Sequence, residues 1–232
     1  PLRRQRQMCI RDSCTGRLAD AARRIGFPSV LKALSGTQSH FVFFNRNAGE
    51  LAANLRRMSR AAAATNGDPR FARQRAMLDG RRVTLDPKSQ FLLEAYVPGD
   101  EYSCDFLVRD GAIKIIRVTG KLPGSHFGYA GGYRLLNEAG LARANIGRAR
   151  LEAVCRGIAR ALGIDAGVCM VDFKKGDGGI VVLETSIRPG LSAFNHLMYD
   201  ICGYTSLALM AMEKLGRPVR VELPDARGAV VY

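Results

Sequence analysis

Two acidic residues, Asp172 and Glu184, stand in neighbouring apolar segments that flank the turn sequence Gly-Asp-Gly-Gly. Side chains alternate between faces along a β-strand, so Glu184, Ser186 and Arg188 share one face of the second segment. If a three-residue loop at 177–179 joins the strands, Asp172 lies directly opposite Glu184. Opposed carboxylates destabilise a sheet, but a divalent cation between them reverses that effect, and Mg²⁺ prefers oxygen ligands of this kind. The spacing therefore predicts a Mg²⁺ site on this face.

The same pattern leaves two other interpretations open. A four-residue loop would place Asp172 opposite Leu183 instead, and two carboxylates on an exposed strand face can also be solvated without a cation. The opposite face of the second strand is expected to carry Val181, Leu183 and Ile187.

The elements that must position these residues follow from apolar periodicity and turn signals. Strands are predicted at 27–32, 40–44, 91–97, 102–108, 112–121, 168–174, 180–186 and 228–232. Helices are predicted at 48–64, 141–162 and 192–215, with a break in the last one near Gly203. Asp110-Gly111 predicts a hairpin turn, 65–87 a loop with irregular helix, and 124–132 a glycine-rich loop. The fold class is α+β, with mostly antiparallel sheets and helices on one side.

The composition excludes several classes of protein. A chain of 232 residues with 47% apolar residues can bury a core, and no run approaches the about 18 apolar residues of a membrane span. The six cysteines lie singly, without a CxxC pair, which argues against a zinc site or a disulfide framework and favours reduced thiols in the cytoplasm.

The net charge of +14 would suit a nucleic-acid-binding protein. Residues 1–13, however, read like the translation of a sequencing-library adapter and are excluded from the fold prediction, which leaves a charge of +11. The remaining arginines are spread along the chain without a basic block, so no nucleic-acid partner and no membrane partner are expected.

Three blocks resemble the ATP-grasp superfamily, in family order across 27–190. They are FPSVLK with GTQS at 27–39, FLLEAYVPGDEYSCDF at 91–106, and VDF with VLETSIRPG at 171–190. The resemblance implies an α+β ATP-grasp fold, in which two lobes of antiparallel sheet plus helices hold ATP between them. Residues 14–97 would form a partial small lobe and 98–232 the large lobe with the metal-binding strands, in a fragment that lacks an N-terminal domain.

The resemblance also assigns roles in nucleotide binding. Lys32 and Ser39 would contact the ATP phosphates. The adenine edge would be read by Glu94 and by the main chain of Ala95 and Val97. Glu101 would accept hydrogen bonds from the ribose hydroxyls.

In the same way, Asp172, Glu184 and Ser186 would bind Mg²⁺, or Mn²⁺ in its place. Lys121 would be a second phosphate-contacting lysine, and Arg188 would stabilise the oxyanion and the departing phosphate. Ser186 stands where members usually have Asn, which weakens the expected second metal site.

The function expected from this resemblance is an ATP-dependent ligase that activates a carboxylate as an acyl phosphate for attack by an amine. Its partners would be small-molecule carboxylate and amine substrates, and a homodimer stays open. Three alternatives also stay open: a carboxylase or purine-pathway member of the superfamily, a catalytically impaired ATP-binding module, and a basic nucleic-acid-binding protein.

Overall fold

The computed structural model describes residues 7–11, 15–35, 41–78, 80–125, 127–128, 130–176, 178–221 and 228–231. The chain divides into two units. The first unit consists of Gln5–Tyr96 with Ser125–Tyr129, and the second unit contains Val97–Gly124 and Ala130–Tyr232.

The first unit is built on a four-stranded antiparallel sheet. Its elements are β1 (Gln7–Arg11), α1 (Thr15–Ile25), β2 (Ser29–Ala33), β3 (Val42–Asn45), α2 (Ala48–Ala63), β4 (Gln74–Leu78), β5 (Arg81–Leu85) and β6 (Gln90–Ala95). The sheet order is β1-β6-β2-β3, and β4 and β5 form a separate hairpin. Gln7–Arg11 thus pairs with β6, while the adapter origin of these residues stays a prediction.

Helix α2 forms where its sequence predicts it. The Asn47 side chain accepts a hydrogen bond from the Glu50 amide, which satisfies one of the amides that a helix start leaves unpaired. The Glu50 carboxylate in turn accepts one from the amide of Arg46, the residue before the cap. Its apolar positions recur at helical spacing, and Leu51 and Met58 are buried against the sheet.

The second unit contains a six-stranded antiparallel sheet. Its elements are β7 (Asp100–Arg109), β8 (Ala112–Pro123), β9 (Ala130–Leu135), α3 (Glu138–Arg143), α4 (Arg148–Leu162), β10 (Ala166–Gly176), β11 (Gly179–Ser186), α5 (Phe194–Cys202), α6 (Ser206–Lys214) and β12 (Gly228–Val231). The strand order is β11-β10-β7-β8-β9-β12. The antiparallel α+β architecture predicted from the sequence is confirmed.

Helices cover both faces of this sheet, where the sequence predicted one. On one face α3 and α4 pack over Cys104, Phe106 and other apolar residues of one cluster. On the other face α5 and α6 pack over a second cluster that includes Leu107 and Ile116. Both faces are covered because β7 and β8 carry nearly continuous apolar runs, which suit strands buried on both sides.

Three predicted elements differ in the structure. The helix predicted at 141–162 is two helices, because Asn145 takes a left-handed conformation with φ 52° and ends α3. The segment 65–87 contains a short 3-10 helix at Pro69–Phe71, in line with the predicted irregular helix, but most of the rest forms the β4–β5 hairpin. Strand β9 extends into the predicted glycine-rich loop and pairs with β8.

Two predicted turns are confirmed. Asp110 and Gly111 both have positive φ, 51° and 76°, and form the two-residue turn between Arg109 and Ala112. Gly203, with φ 72°, separates α5 from α6. None of the described helices is long and apolar enough to cross a membrane.

Candidate functional site

The predicted carboxylate pair lies on β10 and β11. Asp172 pairs directly with Glu184, as predicted, although the connection differs from the expected loop. Gly176 pairs with Gly179, so a two-residue turn joins the strands, and a β-bulge next to Asp172 then shifts the register by one. Turn and bulge together produce the pairing that a three-residue loop would have given.

The bulge also changes which apolar side chains face the core. Ile180 is buried in the cluster under α4, and Val182 packs against the same cluster. The prediction that Val181 and Leu183 share the face opposite to Glu184 is therefore wrong. Leu183 is the extra residue of the bulge, and an extra residue reverses the alternation on one side of it.

Asp172 is a buried carboxylate, and one of its two oxygens pairs with a lysine. Its Oδ2 lies 2.6 Å from Nζ of Lys121. Its Oδ1 is buried and accepts no hydrogen bond from the residues that the structure describes. Glu184, directly across the ladder, is exposed. The Glu184 carboxylate thus lies across the ladder from a buried Asp172 oxygen that has no hydrogen-bond donor among the described residues.

Lys121 connects Asp172 with Glu101. The ammonium lies 2.7 Å from Oε1 of Glu101, and the lysine side chain is only 16% exposed. Burial disfavours its charged form, but Asp172 and Glu101 outweigh that effect and raise the pKa of Lys121. The lysine is therefore a cation held between two carboxylates at neutral pH.

A second, fully buried ion pair lies on the same face of the sheet. The Arg117 guanidinium donates to both carboxylate oxygens of Asp105 at 2.9 Å, through Nε and Nη2. It also donates to the Thr119 hydroxyl at 2.8 Å and to the Ser103 carbonyl at 3.2 Å. Bidentate pairs of this kind have fixed geometry, so the Asp105–Arg117 pair is a rigid centre in the sheet.

This pair fixes the segment that follows Arg188. Asp105 Oδ1 accepts a hydrogen bond from the Gly190 amide at 3.0 Å, and the Arg117 guanidinium stacks on the Phe194 ring at 3.6 Å. Arg188 itself is exposed, and its Nη1 donates to the Pro189 carbonyl at 2.9 Å. Ser186 lies opposite Met170 on the neighbouring strand.

In the first unit, the structure pairs two of the expected nucleotide-binding residues with each other. Lys32 Nζ lies 2.5 Å from Glu94 Oε2, and the Glu94 side chain is 1% exposed. Ala95 ends β6 and pairs with Ser29. Val97 follows β6 outside regular structure.

Ser39 and its loop at 36–40 lie outside the described residues, as does His126. The roles expected of Ser39 in phosphate binding therefore stay predictions.

The chain was compared with known proteins. No protein-family model matches it, and no curated protein matches it. Solved structures match over nearly its whole length. The L-amino acid ligase from Bacillus licheniformis is 19% identical with a TM-score of 0.59, over 90% of this chain and 43% of that chain. An N5-carboxyaminoimidazole ribonucleotide synthetase in complex with ADP is 16% identical with a TM-score of 0.66, over 99% of this chain and 52% of that chain.

A third match is the biotin carboxylase domain of the Hydrogenobacter thermophilus 2-oxoglutarate carboxylase. It is 15% identical with a TM-score of 0.64, over 91% of this chain and 42% of that chain. All three are ATP-grasp enzymes. The chain has the ATP-grasp fold. It spans about half the length of these three structures.

The residues of this ATP-grasp fold fit a Mg²⁺ ion. Asp172 supplies a buried oxygen without a hydrogen-bond donor, and Glu184 stands opposite it. Within the described ranges, no three acidic, His or Cys side chains gather as a complete metal cage. Mg²⁺ is commonly held by one or two carboxylates together with waters and substrate phosphates, so two carboxylates and the Ser186 hydroxyl match its chemistry.

Sequence reasoning missed the Asp105–Arg117 pair. A signal was present, since each is a charged residue within an otherwise apolar strand, in SCDFLV and IIRVTG. Charged residues are almost never fully buried unless they are paired. Two such residues on strands joined by a hairpin therefore indicate a buried ion pair.

A cavity of about 350 Å³ in the second unit is lined by Tyr102, Arg134 and Arg143, among others. Tyr102 alternates with Glu101 along β7, so the cavity lies on the face opposite to the Lys121 side chain. It is not part of the carboxylate site.

Proposed function

We propose that this chain contributes to an ATP-dependent, Mg²⁺-dependent ligase that activates a carboxylate as an acyl phosphate for attack by an amine. The observation that carries the proposal is the pairing of Asp172 with Glu184, in which a buried carboxylate oxygen lacks a donor. In an ATP-grasp fold, such a pair suits a cation that holds a nucleotide triphosphate.

In this proposal, Asp172 and Glu184 hold the cation, and Ser186 adds its hydroxyl directly or through water. When bound, Mg²⁺ would neutralise the negative charge that develops during phosphoryl transfer. Lys121 and Lys32 would supply further positive charge to the phosphates. Two of the matched structures contain ADP, one of them as its magnesium salt, which supports a nucleotide as the ligand.

Arg188 would orient the substrate carboxylate and stabilise the oxyanion that forms when the amine attacks. It suits this role because it is exposed, while the residues directly after it are fixed by Asp105 and Arg117. An exposed guanidinium next to a fixed segment can pair bidentately with carboxylate or phosphate oxygens.

The first test measures nucleotide binding by this chain. Isothermal titration with MgATP is expected to detect binding by the wild type, and Asp172→Asn and Glu184→Gln are each expected to weaken it by about tenfold or more, since each removes a charged ligand of the cation. Thr185→Val is the matched control, because this residue lies next to Glu184 and its hydroxyl donates to the Met170 carbonyl instead. Undiminished affinity in both carboxylate variants would refute the metal assignment.

The second test measures the reaction in the longest reading frame that contains this chain. Pairs of carboxylates and amines are screened for phosphate release. Bicarbonate is tested separately as the substrate. Release that requires both a carboxylate and an amine supports the ligase. Release with bicarbonate alone supports a carboxylase, the activity class represented by the biotin carboxylase domain among the matched structures.

An ATP-binding module without catalysis is the second candidate. The observation that favours it is Ser186 in the position where the resemblance predicts Asn, since a neutral hydroxyl is a weaker metal ligand. This candidate predicts MgATP binding without substrate-dependent release of ADP or phosphate.

A further inference from the structure

Lys121 contacts one of the two oxygens of Asp172, so its positive charge lies directly beside a cation that binds the same carboxylate. Its ammonium contacts Oδ2 of Asp172 and Oε1 of Glu101 at 2.6 and 2.7 Å. We infer that Lys121 is an internal substitute for the divalent cation, which holds Asp172 in the metal-free protein and is displaced onto Glu101 when a cation binds. This inference rests on the proposed function, because it assumes that Asp172 is a metal ligand.

Burial explains why a substitute is needed. The Asp172 side chain is 11% exposed, and a buried carboxylate without a counter-charge is strongly destabilising. With neither a cation nor Lys121, Asp172 would face Glu184 across the ladder with like charge. The ammonium of Lys121 compensates this charge in the absence of metal.

The geometry also explains how the Lys121 side chain can leave Asp172 and still keep a charged partner. Glu101 already contacts the same ammonium, so Lys121 keeps one carboxylate partner after it releases Asp172. Three carboxylates then share the positive charge of one lysine and one divalent cation. The lysine released from Asp172 becomes available to phosphate oxygens, so cation binding and phosphate binding are coupled through a single side chain.

Lys121 and the cation should therefore compete for Asp172. This is tested by titrating the chain with Mn²⁺ in the absence of nucleotide and measuring free Mn²⁺ by electron paramagnetic resonance. Lys121→Met is expected to bind Mn²⁺ about tenfold more tightly than the wild type or better, because a competing charge within contact distance is removed.

The matched control is Lys175→Met. Lys175 lies on the same strand as Asp172 and donates to the Gly176 carbonyl at 2.9 Å, so its removal changes the net charge equally without freeing Asp172. The control is expected to stay within about threefold of the wild type, since the charge of Lys175 does not contact Asp172 and a more distant charge is screened more strongly. Equal affinity of Lys121→Met and wild type, or an equal gain in Lys175→Met, would overturn the inference.

A second measurement needs no variant and therefore does not depend on whether Lys121→Met folds. The wild-type chain is acylated with a lysine-reactive ester with and without Mg²⁺, and the modification of each lysine is followed by peptide mass spectrometry. The rate at Lys121 is expected to rise several-fold with Mg²⁺ while the rate at Lys175 stays constant. A Lys121 rate that does not change at saturating Mg²⁺ contradicts displacement.

The inference and the proposed function fail in different ways. If Asp172→Asn abolishes Mn²⁺ binding but Lys121→Met leaves it unchanged, the metal site stands and the competition does not. If neither wild type nor Lys121→Met binds Mn²⁺, with or without ATP, both are overturned.

Discussion

Arg117 carries its charge inside the second unit without any exposed surface. Its guanidinium therefore depends entirely on nearby groups, chiefly the Asp105 carboxylate, the Thr119 hydroxyl and the Phe194 ring. Removing one member of a buried pair leaves the other charge uncompensated, whereas replacing both with apolar side chains can be neutral. A single substitution in the pair should therefore lower the free energy of unfolding much more than a double substitution to apolar residues.

Asp105→Asn is expected to lower the free energy of unfolding by about 3–5 kcal/mol, because it leaves the Arg117 charge buried and unpaired. The double variant Asp105→Leu with Arg117→Met should recover most of that loss. Urea denaturation followed by circular dichroism measures both. A double variant that loses as much as the sum of the single variants would argue against a compensated pair.

Gly190 lies where only glycine fits. A Cβ added there would lie 2.5 Å from Nη2 of Arg117 and 2.8 Å from the Phe194 ring. Gly190→Ala is expected to cost about 1–3 kcal/mol of stability through overpacking, as measured by the urea midpoint. Gly147→Ala is the control, since its nearest neighbour would be Arg150 Cβ at 3.8 Å. Equal effects of the two substitutions would contradict the steric account.

At the scale of elements, the β7–β8 hairpin depends on its turn. Asp110 and Gly111 both have positive φ, and this geometry matches the right-handed twist of the strands that it joins. Glycine adopts it freely, and Asp tolerates it better than most residues do.

Gly111→Ala should therefore lower the stability of the second unit by about 1 kcal/mol, because alanine disfavours positive φ. Asp110→Gly is the opposite substitution in the same turn and is expected to be neutral or slightly stabilising. The urea midpoints of both variants measure this contrast. Unchanged stability in Gly111→Ala would contradict the role of the backbone conformation, and loss of stability in Asp110→Gly would show that the Asp110 side chain also supports the turn.

The β10–β11 hairpin shows what local sequence can specify. Strand alternation was sufficient to predict that Asp172 lies opposite Glu184, but it assumed a single loop. The structure uses a shorter turn and a bulge, two changes of one residue each that compensate. Strand alternation cannot distinguish a three-residue loop from a two-residue turn with a bulge, because both place Asp172 opposite Glu184.

The missed elements lacked a periodic signal. The β4–β5 strands are mostly exposed and polar, so they show no alternation of apolar residues. Apolar spacing continues from α3 into α4, so the left-handed conformation of Asn145 was not apparent. Both outcomes depend on local backbone geometry and tertiary contacts, which composition does not encode.

At the scale of the whole molecule, the fold was predictable because three motif blocks, spread over 27–190, occur in one order. The first two of these blocks contain Lys32 and Glu94, which the structure brings into contact. The contacts themselves were not predictable. Lys32 and Lys121 were each expected to face phosphate, and each is paired with carboxylates, since a buried carboxylate requires a counter-charge.

Buried thiols in the second unit predict an alkaline loss of stability. Burial raises the pKa of Cys104 and raises that of Cys169 to about 11. Between about pH 9 and 11, the unfolded chain releases thiol protons that the folded chain retains, so stability is full below this window and falls as the pH rises through it.

Urea midpoints measured from pH 8 to 11 should show this decrease, and Cys169→Ala should make it shallower than in the wild type. The alanine variant keeps the other titrating groups, so the difference between the two curves isolates one thiol. Parallel curves would show that Cys169 does not contribute.

The burial of Cys104, Cys155 and Cys169 within the six-stranded sheet and its helices has a practical consequence. A maleimide can reach these sulfurs only after the sheet separates from its helices. The rate of alkylation therefore measures how often this core opens spontaneously. Among the described side chains of the first unit there is no cysteine. Each alkylated buried sulfur therefore records an opening of the second unit, in the native chain and without an introduced cysteine.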